Sequence, residues 1–378
     1  MKYLFENFTS GDYALMYRWV IGFFVISGSL ILMILQDRKD AYFRNDRNLL
    51  IIVTAFLVFF AGTRGNNIGT DTGNYYNYFY LKGLHIDNFF DYLSALGTDF
   101  LFAVVLYIVL PFKNFTLFLF VVSALMNISL FKFVRRFTNN SIDGSSFLLF
   151  VTMTSSFVFL NYEINTIRNG LAIPFILYGI YYVIQKNNKY AILYFLIAFF
   201  FHRTSIIPIV CVCLIMLCNN VKIKYFIIFY VLAVGLAYTG FGFDKLTFLG
   251  QLEGEDIKQL AFQGETNYRV GFRIDFVFYN SLFLFLFVKF SNLKNASDLF
   301  LIKYYIVASV VFFFNFNIPF SDRIGGYSWI VIPLLLFNTI NISFPKKKLS
   351  ILAWVTIFYF ILNHILLPIL SGGDDNTR

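Results

Sequence analysis

The fold is decided by stretches such as Val20–Leu35, which reads VIGFFVISGSLILMIL and carries no charged residue. Similar charge-free runs follow at Phe147–Leu160 and Leu349–Leu362. A helix needs about 20 predominantly apolar residues to cross a bilayer, and each run approaches that length. The pattern predicts an all-α, polytopic transmembrane helical bundle that forms a single domain over residues 1–378.

The composition excludes an ordinary soluble protein. Of the 378 residues, 58% are hydrophobic and 13% are charged, and the mean hydropathy is +0.69. Soluble domains carry about 25% charged residues. The polar start of the chain, Met1–Tyr13, lacks the pattern of a cleavable signal peptide. No basic tract with interleaved aromatic residues lies outside the apolar runs, so no nucleic-acid partner is expected.

The three cysteines give no sign of a disulfide framework or a metal site. Cys211, Cys213 and Cys218 all lie on one apolar segment, where buried free thiols are the expected state. We therefore predict no metal and no cofactor.

The apolar runs predict about 12 spans. Two of them are short, and only His202 and Arg203 separate them, so this turn is expected to lie below the membrane surface. Polar residues at that depth persist where they line a protein or water cavity. The predicted spans lie near 15–35, 49–63, 115–133, 146–162, 167–185, 190–202, 204–218, 223–240, 274–290, 299–317, 327–343 and 349–368.

Basic residues concentrate in alternate loops, which the positive-inside rule places in the cytoplasm. The opposite loops carry most of the acidic residues, so these loops and both termini are expected to face outward. The two largest outward loops are 64–99 and 241–273. The basic clusters are Arg38, Lys39, Arg44 and Arg47; Lys132, Arg135 and Arg136; Lys186 and Lys189; Lys222 and Lys224; Lys289 and Lys294; and Lys346, Lys347 and Lys348.

One apolar segment, Phe100–Phe112, is too short for a comfortable crossing. Counting it as a span would put the basic loops 36–48 and 132–145 on opposite sides. We therefore predict a re-entrant or half-embedded helix on the outer side. The alternative is thirteen full spans with a cytoplasmic N-terminus.

Single arginines and acids occupy the outward ends of several spans. Clustered lysines orient a membrane protein, whereas isolated outward arginines suggest recognition of a phosphate anion, because guanidinium matches phosphate oxygens and stays charged. Structural alternatives are a snorkelling Arg64 paired with Asp71, a His202 that bonds between helices, and a helix cap at Asp322. The residues are Arg64 and Asp71; Glu163 and Arg168; His202 and Arg203; Arg269, Arg273 and Asp275; and Asp322, Arg323 and Tyr327.

Four motifs in this set, spread over about residues 60–330, resemble those of EpsG-type and Wzy-type polysaccharide polymerases. Asn169 departs from the family pattern, which often has glutamine after the helix-start arginine. The motifs are Arg64 with Gly69-Thr70-Asp71 and Tyr75; Ile167-Arg168-Asn169-Gly170-Leu171-Ala172; Phe201-His202-Arg203-Thr204-Ser205; and Arg323 with Tyr327.

The resemblance implies a GT-C-like glycosyltransferase in the bacterial inner membrane, with its active site facing the periplasm or cell exterior. It would polymerise oligosaccharide repeat units carried on undecaprenyl diphosphate, giving O-antigen, capsule or exopolysaccharide. A chain-length regulator and a flippase are the partners that such a family implies.

Roles for the residues follow from that chemistry. A diphosphate leaving group needs cations, which Arg64, Arg168, Arg203 and Arg323 would supply. An acceptor hydroxyl needs a general base, for which the candidates are Asp71, His202 and Glu163, with Asp71 and His202 preferred. Tyr75 and Tyr327 suit stacking on sugar faces, although interfacial tyrosines are also common.

Three other functions use similar features. An O-antigen ligase shares the donor but usually has a larger late outward loop than 241–273. A repeat-unit flippase should show repeated halves and mid-span charges, which the sequence lacks. A membrane O-acetyltransferase would place its His-Arg site toward the cytoplasm.

Overall fold

The protein is described by a computed structural model. The structure describes residue 5 and residues 7–97, 99–139, 144–245, 270–344 and 347–370, apart from the side chains of Tyr78, Leu96 and Leu370. These residues form helices joined by turns, and none of them lies in a β-strand. Arg269 and most of the predicted outward loop 241–273 lie outside the described residues.

Seven helical segments in the described ranges are long and apolar enough to cross a membrane. The prediction of a helical membrane protein is therefore confirmed, whereas the structure supports seven spans rather than the 12 predicted. Four shorter apolar helices cover Phe100–Phe112, Asn188–Phe201, Arg203–Leu217 and Ile223–Tyr238. The seven longer segments are Ser10–Leu35, Lys39–Gly62, Phe115–Thr138, Ile167–Ile184, Ala296–Phe313, Asp322–Ser343 and Lys348–Ile369.

The run near 146–162 is broken, contrary to the single span predicted there. It forms two short helices, Ser146–Thr154 and Phe159–Ile164. The break lies at Thr154, Ser155 and Ser156, whose hydroxyls can hydrogen-bond to nearby backbone groups outside the helix ladder. Such local bonds compete with the backbone ladder and favour a helix end.

The chain forms two compact units. The first contains the described residues up to Ile206 together with 347–366, and the second contains 207–344 with 367–370. The helices of the first unit are α1 (Ser10–Leu35), α2 (Lys39–Gly62), α3 (Phe89–Leu96), α4 (Phe100–Val109), α5 (Phe115–Thr138), α6 (Ser146–Thr154), α7 (Phe159–Ile164), α8 (Ile167–Ile184), α9 (Asn188–Phe201) and α16 (Lys348–Ile361).

Four helix pairs form the main packing of the first unit: α8 packs on α9, α2 on α5, α1 on α16, and α5 on α8. Side chains fix where the helices begin. At α1, Thr9 and Asp12 form a reciprocal capping box that satisfies two otherwise unpaired backbone donors. At α6, the buried carboxylate of Asp46 contacts the Ser145 hydroxyl and accepts from the Phe147 backbone N–H at 3.1 Å. These contacts tie the start of α6 to α2.

The second unit has its own buried polar centre. The Asn280 side-chain oxygen accepts hydrogen bonds from Tyr305 at 3.1 Å, Ser309 at 3.0 Å and Ser328 at 3.4 Å. Three helices therefore meet at one buried amide. The helices of this unit are α10 (Ile206–Leu217), α11 (Ile223–Tyr238), α12 (Ile274–Phe290), α13 (Ala296–Phe313), α14 (Asp322–Trp329), α15 (Ile332–Ser343) and α17 (Leu367–Leu370). The first residue of α10, Ile206, is still part of the first unit.

Candidate functional site

The site is organised around Asp99, which lies directly before α4. One of its oxygens, Oδ2, accepts from Arg168 Nη1 at 3.0 Å and lies 3.2 Å from His202 Nδ1. The other, Oδ1, accepts from the Arg203 backbone N–H at 3.0 Å and lies 3.9 Å from the Arg203 Nε. A single carboxylate thus gathers side chains from α8 and from the turn between α9 and α10.

The surroundings of Asp99 keep it ionised. Burial alone would raise the pKa of this carboxyl, but the hydrogen bond from His202 and the charge of Arg168 hold the pKa below its ordinary value. The Asp99 side chain is only 4% exposed, whereas those of Arg203, Arg168 and His202 are 55%, 27% and 18% exposed. The cations are therefore accessible while the carboxylate that holds them is not.

Arg168 is placed by the start of α8. The helix begins at Ile167, so Arg168 lies in its first turn. Gly170, two residues after Arg168, lies so close to the Tyr162 carbonyl oxygen that a side chain at Gly170 would collide with it. Tyr75 supports Arg168 through a hydrogen bond and an electrostatic contact. The buried ring of Tyr75 packs against the ring of Phe102, with 5.5 Å between the two ring centroids.

The His202-Arg203 turn is placed by the end of α9. His202 leaves the helix in an extended conformation, with φ −159° and ψ 116°. Its backbone N–H still donates to the Ala198 carbonyl oxygen, and Arg203–Ser205 then form a single 3-10 turn. The short helix predicted before this turn is confirmed by α9, which has 14 residues.

The loop after α2 is fastened to the segment that precedes α8. The Thr70 backbone N–H donates to Asn165 Oδ1 at 2.7 Å, and the Thr72 hydroxyl donates to the Ile164 carbonyl oxygen at 2.9 Å. Gly69 makes this approach possible, because its φ is +89° and an added Cβ would lie 2.6 Å from the Ile164 oxygen. Two of the four predicted motifs therefore adjoin each other.

Arg64 lies in the interior rather than at an accessible surface. Its side chain is 1% exposed, and Nη1 donates to the Ala61 carbonyl oxygen at 2.5 Å. Its Nε and Nη2 have no hydrogen-bond partner among the described residues. Its electrostatic neighbours are Tyr13, Glu163 and Tyr75. Tyr75 also contacts Arg168, so this tyrosine lies between the buried Arg64 and the cluster around Asp99.

Glu163 is also buried, at the end of α7 and outside the seven candidate spans. Its Oε1 accepts from Asn127 Nδ2 at 2.5 Å, and its Oε2 accepts from the Ser123 hydroxyl at 3.3 Å. Burial raises the pKa of Glu163 to about 7, although Asn127, Arg64 and Ser123 act in the opposite direction. Glu163 thus titrates near neutral pH.

The remaining predicted residues lie elsewhere. Asp71 is partly exposed and precedes a short helix at Thr72–Asn74. Arg323 and Tyr327 belong to α14 of the second unit, where the Arg323 guanidinium lies 4.9 Å from the Phe320 ring centroid. In the same unit, Arg273 binds Asp275 through Nη2 at 2.6 Å and Nε at 3.0 Å.

Asp99 is the residue that sequence reasoning missed. It belongs to none of the four motifs, and it is one acid among several in the outward loop 64–99. A signal was nevertheless available, because Asp99 directly precedes the short apolar segment Phe100–Phe112. An acid at the start of a half-embedded helix lies at membrane depth, where charged groups are functional or paired.

Comparison with known proteins identifies a family. The model of the EpsG family matches residues 47–371, which is most of the chain. The matched range contains every motif residue described above. Neither a curated protein nor a solved structure matches the chain.

Proposed function

The chain belongs to the EpsG family, and from this membership and the geometry around Asp99 we propose that it polymerises lipid-linked oligosaccharide repeat units. In this proposal the donor and acceptor are carried on undecaprenyl diphosphate at the outer face of the bacterial inner membrane. The growing glycan leaves its carrier and joins the non-reducing end of a new repeat unit.

The observation that carries the proposal is the convergence of Arg168, His202 and Arg203 on one carboxylate. The Arg168 guanidinium and the His202 imidazole then lie within hydrogen-bond distance of the carboxylate, and the Arg203 guanidinium lies 3.9 Å from it. The reaction needs positive charge for the departing diphosphate and a base for the attacking hydroxyl. The cluster supplies both kinds of group from side chains alone.

The exposures divide the predicted arginines by role. Arg203, at 55% exposed, and Arg168, at 27%, have surface available for phosphate oxygens. Arg64, at 1%, is instead suited to holding Tyr75 and Glu163 in place. In the proposal Arg203 is the main diphosphate ligand and Arg168 assists it.

Deletion of the gene in its host tests the function. Loss of a polymerase should leave carriers capped with single repeat units on the outer leaflet. The proposal fails if the deletion strain instead accumulates long polymer that is not attached to its final acceptor, which is the result for a ligase. It fails equally if repeat units accumulate on the inner leaflet, which is the result for a flippase.

Complementation makes the test specific to the site. Wild-type protein should restore polymer, whereas Arg203→Ala should leave single repeat units at an equal protein level in the membrane. Lys245→Ala serves as the matched control, because Lys245 is an exposed cation of the second unit, in a 3-10 turn after α11. If Arg203→Ala restores polymer, the cluster around Asp99 is not the site of polymerisation.

A further inference from the structure

Asp99 contacts two kinds of catalytic group at once. Its Oδ2 is shared by Arg168 and His202, and its Oδ1 holds the backbone N–H that begins the turn at Arg203. The base candidate and the two accessible arginines therefore have a common anchor. Displacement of this anchor would change the distance between the base and the phosphate-binding cations.

We propose that Asp99 is the positioning residue of the site, which orients His202 as the general base and fixes Arg168 and Arg203 relative to it. This inference rests on the proposed polymerase function. Because Nδ1 of His202 faces the Asp99 carboxylate, Nδ1 carries the proton in the neutral imidazole and Nε2 is the basic nitrogen. A carboxylate in this position selects the tautomer and stabilises the imidazolium that forms.

The reaction transfers the growing glycan from its diphosphate carrier to the acceptor hydroxyl. Nε2 of His202 removes the proton from the acceptor sugar hydroxyl, and the hydroxyl oxygen forms a bond to the anomeric carbon of the donor glycan. The bond from that carbon to the phosphate oxygen breaks, and its electron pair leaves on the diphosphate. Arg203 and Arg168 stabilise this charge, and the imidazolium then gives its proton to water or to the released diphosphate.

Asp99 and Glu163 are both less suitable as the base themselves. The two oxygens of Asp99 are occupied by three partners, and the side chain is 4% exposed. Glu163 is buried between Ser123 and Asn127. His202 combines partial exposure with an orienting carboxylate, which neither of these acids has.

Steady-state kinetics on the full-length protein in lipid nanodiscs test the role of Asp99. The substrate is a synthetic undecaprenyl-diphosphate repeat unit, and the variants are Asp99→Asn, His202→Gln and the double variant. Asp99→Asn should lower kcat on the order of 100-fold, within the range that general-base catalysis contributes. Asp91→Asn is the matched control, since Asp91 is an exposed acid of the same loop, and it should retain wild-type kcat.

The double variant separates positioning from a structural effect. If Asp99 acts mainly through His202, Asp99→Asn should reduce kcat by about tenfold at most when His202 is already glutamine, because contacting residues are not additive. The loss that remains is the effect of Asp99 on Arg168 and Arg203. A full loss in that background would overturn the proposal. An inactive wild-type protein would instead refute the polymerase function, so the two failures are distinguishable.

The pH profile gives an independent readout. Asp99, from the loop before α4, contacts His202 directly. Arg168 of α8 and Arg203 of the same turn lie against the same carboxylate, and Tyr75 contacts Arg168. Asp99→Asn removes the negative charge that balances Arg168 and Arg203, and the remaining positive charge disfavours the imidazolium form of His202. The acidic limb of kcat/KM should therefore move to lower pH by about one unit in Asp99→Asn, and an unchanged limb contradicts the proposal.

A measurement on the wild-type side chain covers the case in which Asp99→Asn does not fold. The chain has only three histidines, so the 15N imidazole signals that disappear in His202→Gln belong to His202. They should report the tautomer with the proton on Nδ1 at alkaline pH. The tautomer with the proton on Nε2 would overturn the assignment of Nε2 as the base.

Discussion

The burial of Glu163 predicts a pH-dependent stability that one substitution should remove. Its carboxyl has a pKa of about 7 in the folded protein and an ordinary value of 4.5. Between these values the folded protein holds a proton that the unfolded chain has released. The contribution of Glu163 to stability is therefore fully present below pH 4.5 and declines as the pH rises toward 7.

The magnitude follows from the size of the shift. Each pKa unit corresponds to about 1.4 kcal/mol, so a difference of about 2.5 units amounts to roughly 3 kcal/mol. Asp99 does not contribute over this range, because its pKa is lowered below an ordinary value of 3.8 and its stabilisation is lost only in stronger acid. Glu163 therefore contributes roughly 3 kcal/mol to the decline between pH 4.5 and 7.

The assay is the thermal midpoint of the purified protein, followed by tryptophan fluorescence in detergent from pH 5 to pH 8. The wild-type Tm should fall across this range by several degrees. Glu163→Gln keeps an amide in place of the protonated carboxyl and does not titrate, so its Tm should fall clearly less than that of the wild type. Asp91→Asn, which removes an exposed acid, should follow the wild-type profile. Parallel profiles for wild type and Glu163→Gln would refute the reasoning.

Three further predictions concern other parts of the structure. Gly69→Ala should destabilise the protein by roughly 2 kcal/mol in denaturant titrations, because φ is +89° and the added Cβ meets the Ile164 oxygen; Gly73→Ala, with open space around it, should be neutral. Arg168→Lys should lower kcat/KM on the order of tenfold at unchanged circular dichroism, since lysine lacks the planar fork that contacts Asp99; wild-type kinetics would contradict this. Asn280→Ala should cost about 2 kcal/mol in the same titrations, because Ser309 loses its buried acceptor; an unchanged midpoint would show that the amide is dispensable.

The helices were largely predictable because apolar length is a local property of the sequence. The runs at Val20–Leu35 and Phe115–Phe133 lie within α1 and α5, and the short helix at Phe100–Val109 occupies the segment predicted to be half-embedded. Whether that segment is re-entrant stays a prediction. The continuous helix predicted near 146–162 was wrong, because hydropathy registers apolar length and not the interruption after Thr154.

The site was predictable in its members but not in its centre. Isolated outward charges and the motif resemblance identified Arg168, His202 and Arg203, and the structure brings these three together. Asp99 carries no motif, and only the fold shows that it adjoins all three. The burial of Arg64 was also hidden, because a sequence gives the position of a charge at a span end but not the helices that cover it.

The roles of Asp71, Arg323 and Tyr327 remain predictions. Asp71 lies in the loop after α2, which approaches the segment before α8 closely at Gly69. Like Asp99, it belongs to the first unit. Arg323 and Tyr327 lie on the second unit. Arg323→Ala and Asp71→Asn therefore belong in the same kinetic series as Asp99→Asn, where a loss of kcat/KM would add each residue to the site.

The central claim is tested most directly by incubating the purified wild-type protein with a synthetic undecaprenyl-diphosphate repeat unit and separating the products by size. We predict a ladder of lipid-linked oligomers that differ by one repeat unit, together with released undecaprenyl diphosphate. His202→Gln, measured in parallel, should consume the single repeat unit on the order of 100-fold more slowly. A wild-type reaction that forms no ladder would contradict the polymerase function, and a full ladder from His202→Gln would contradict the site.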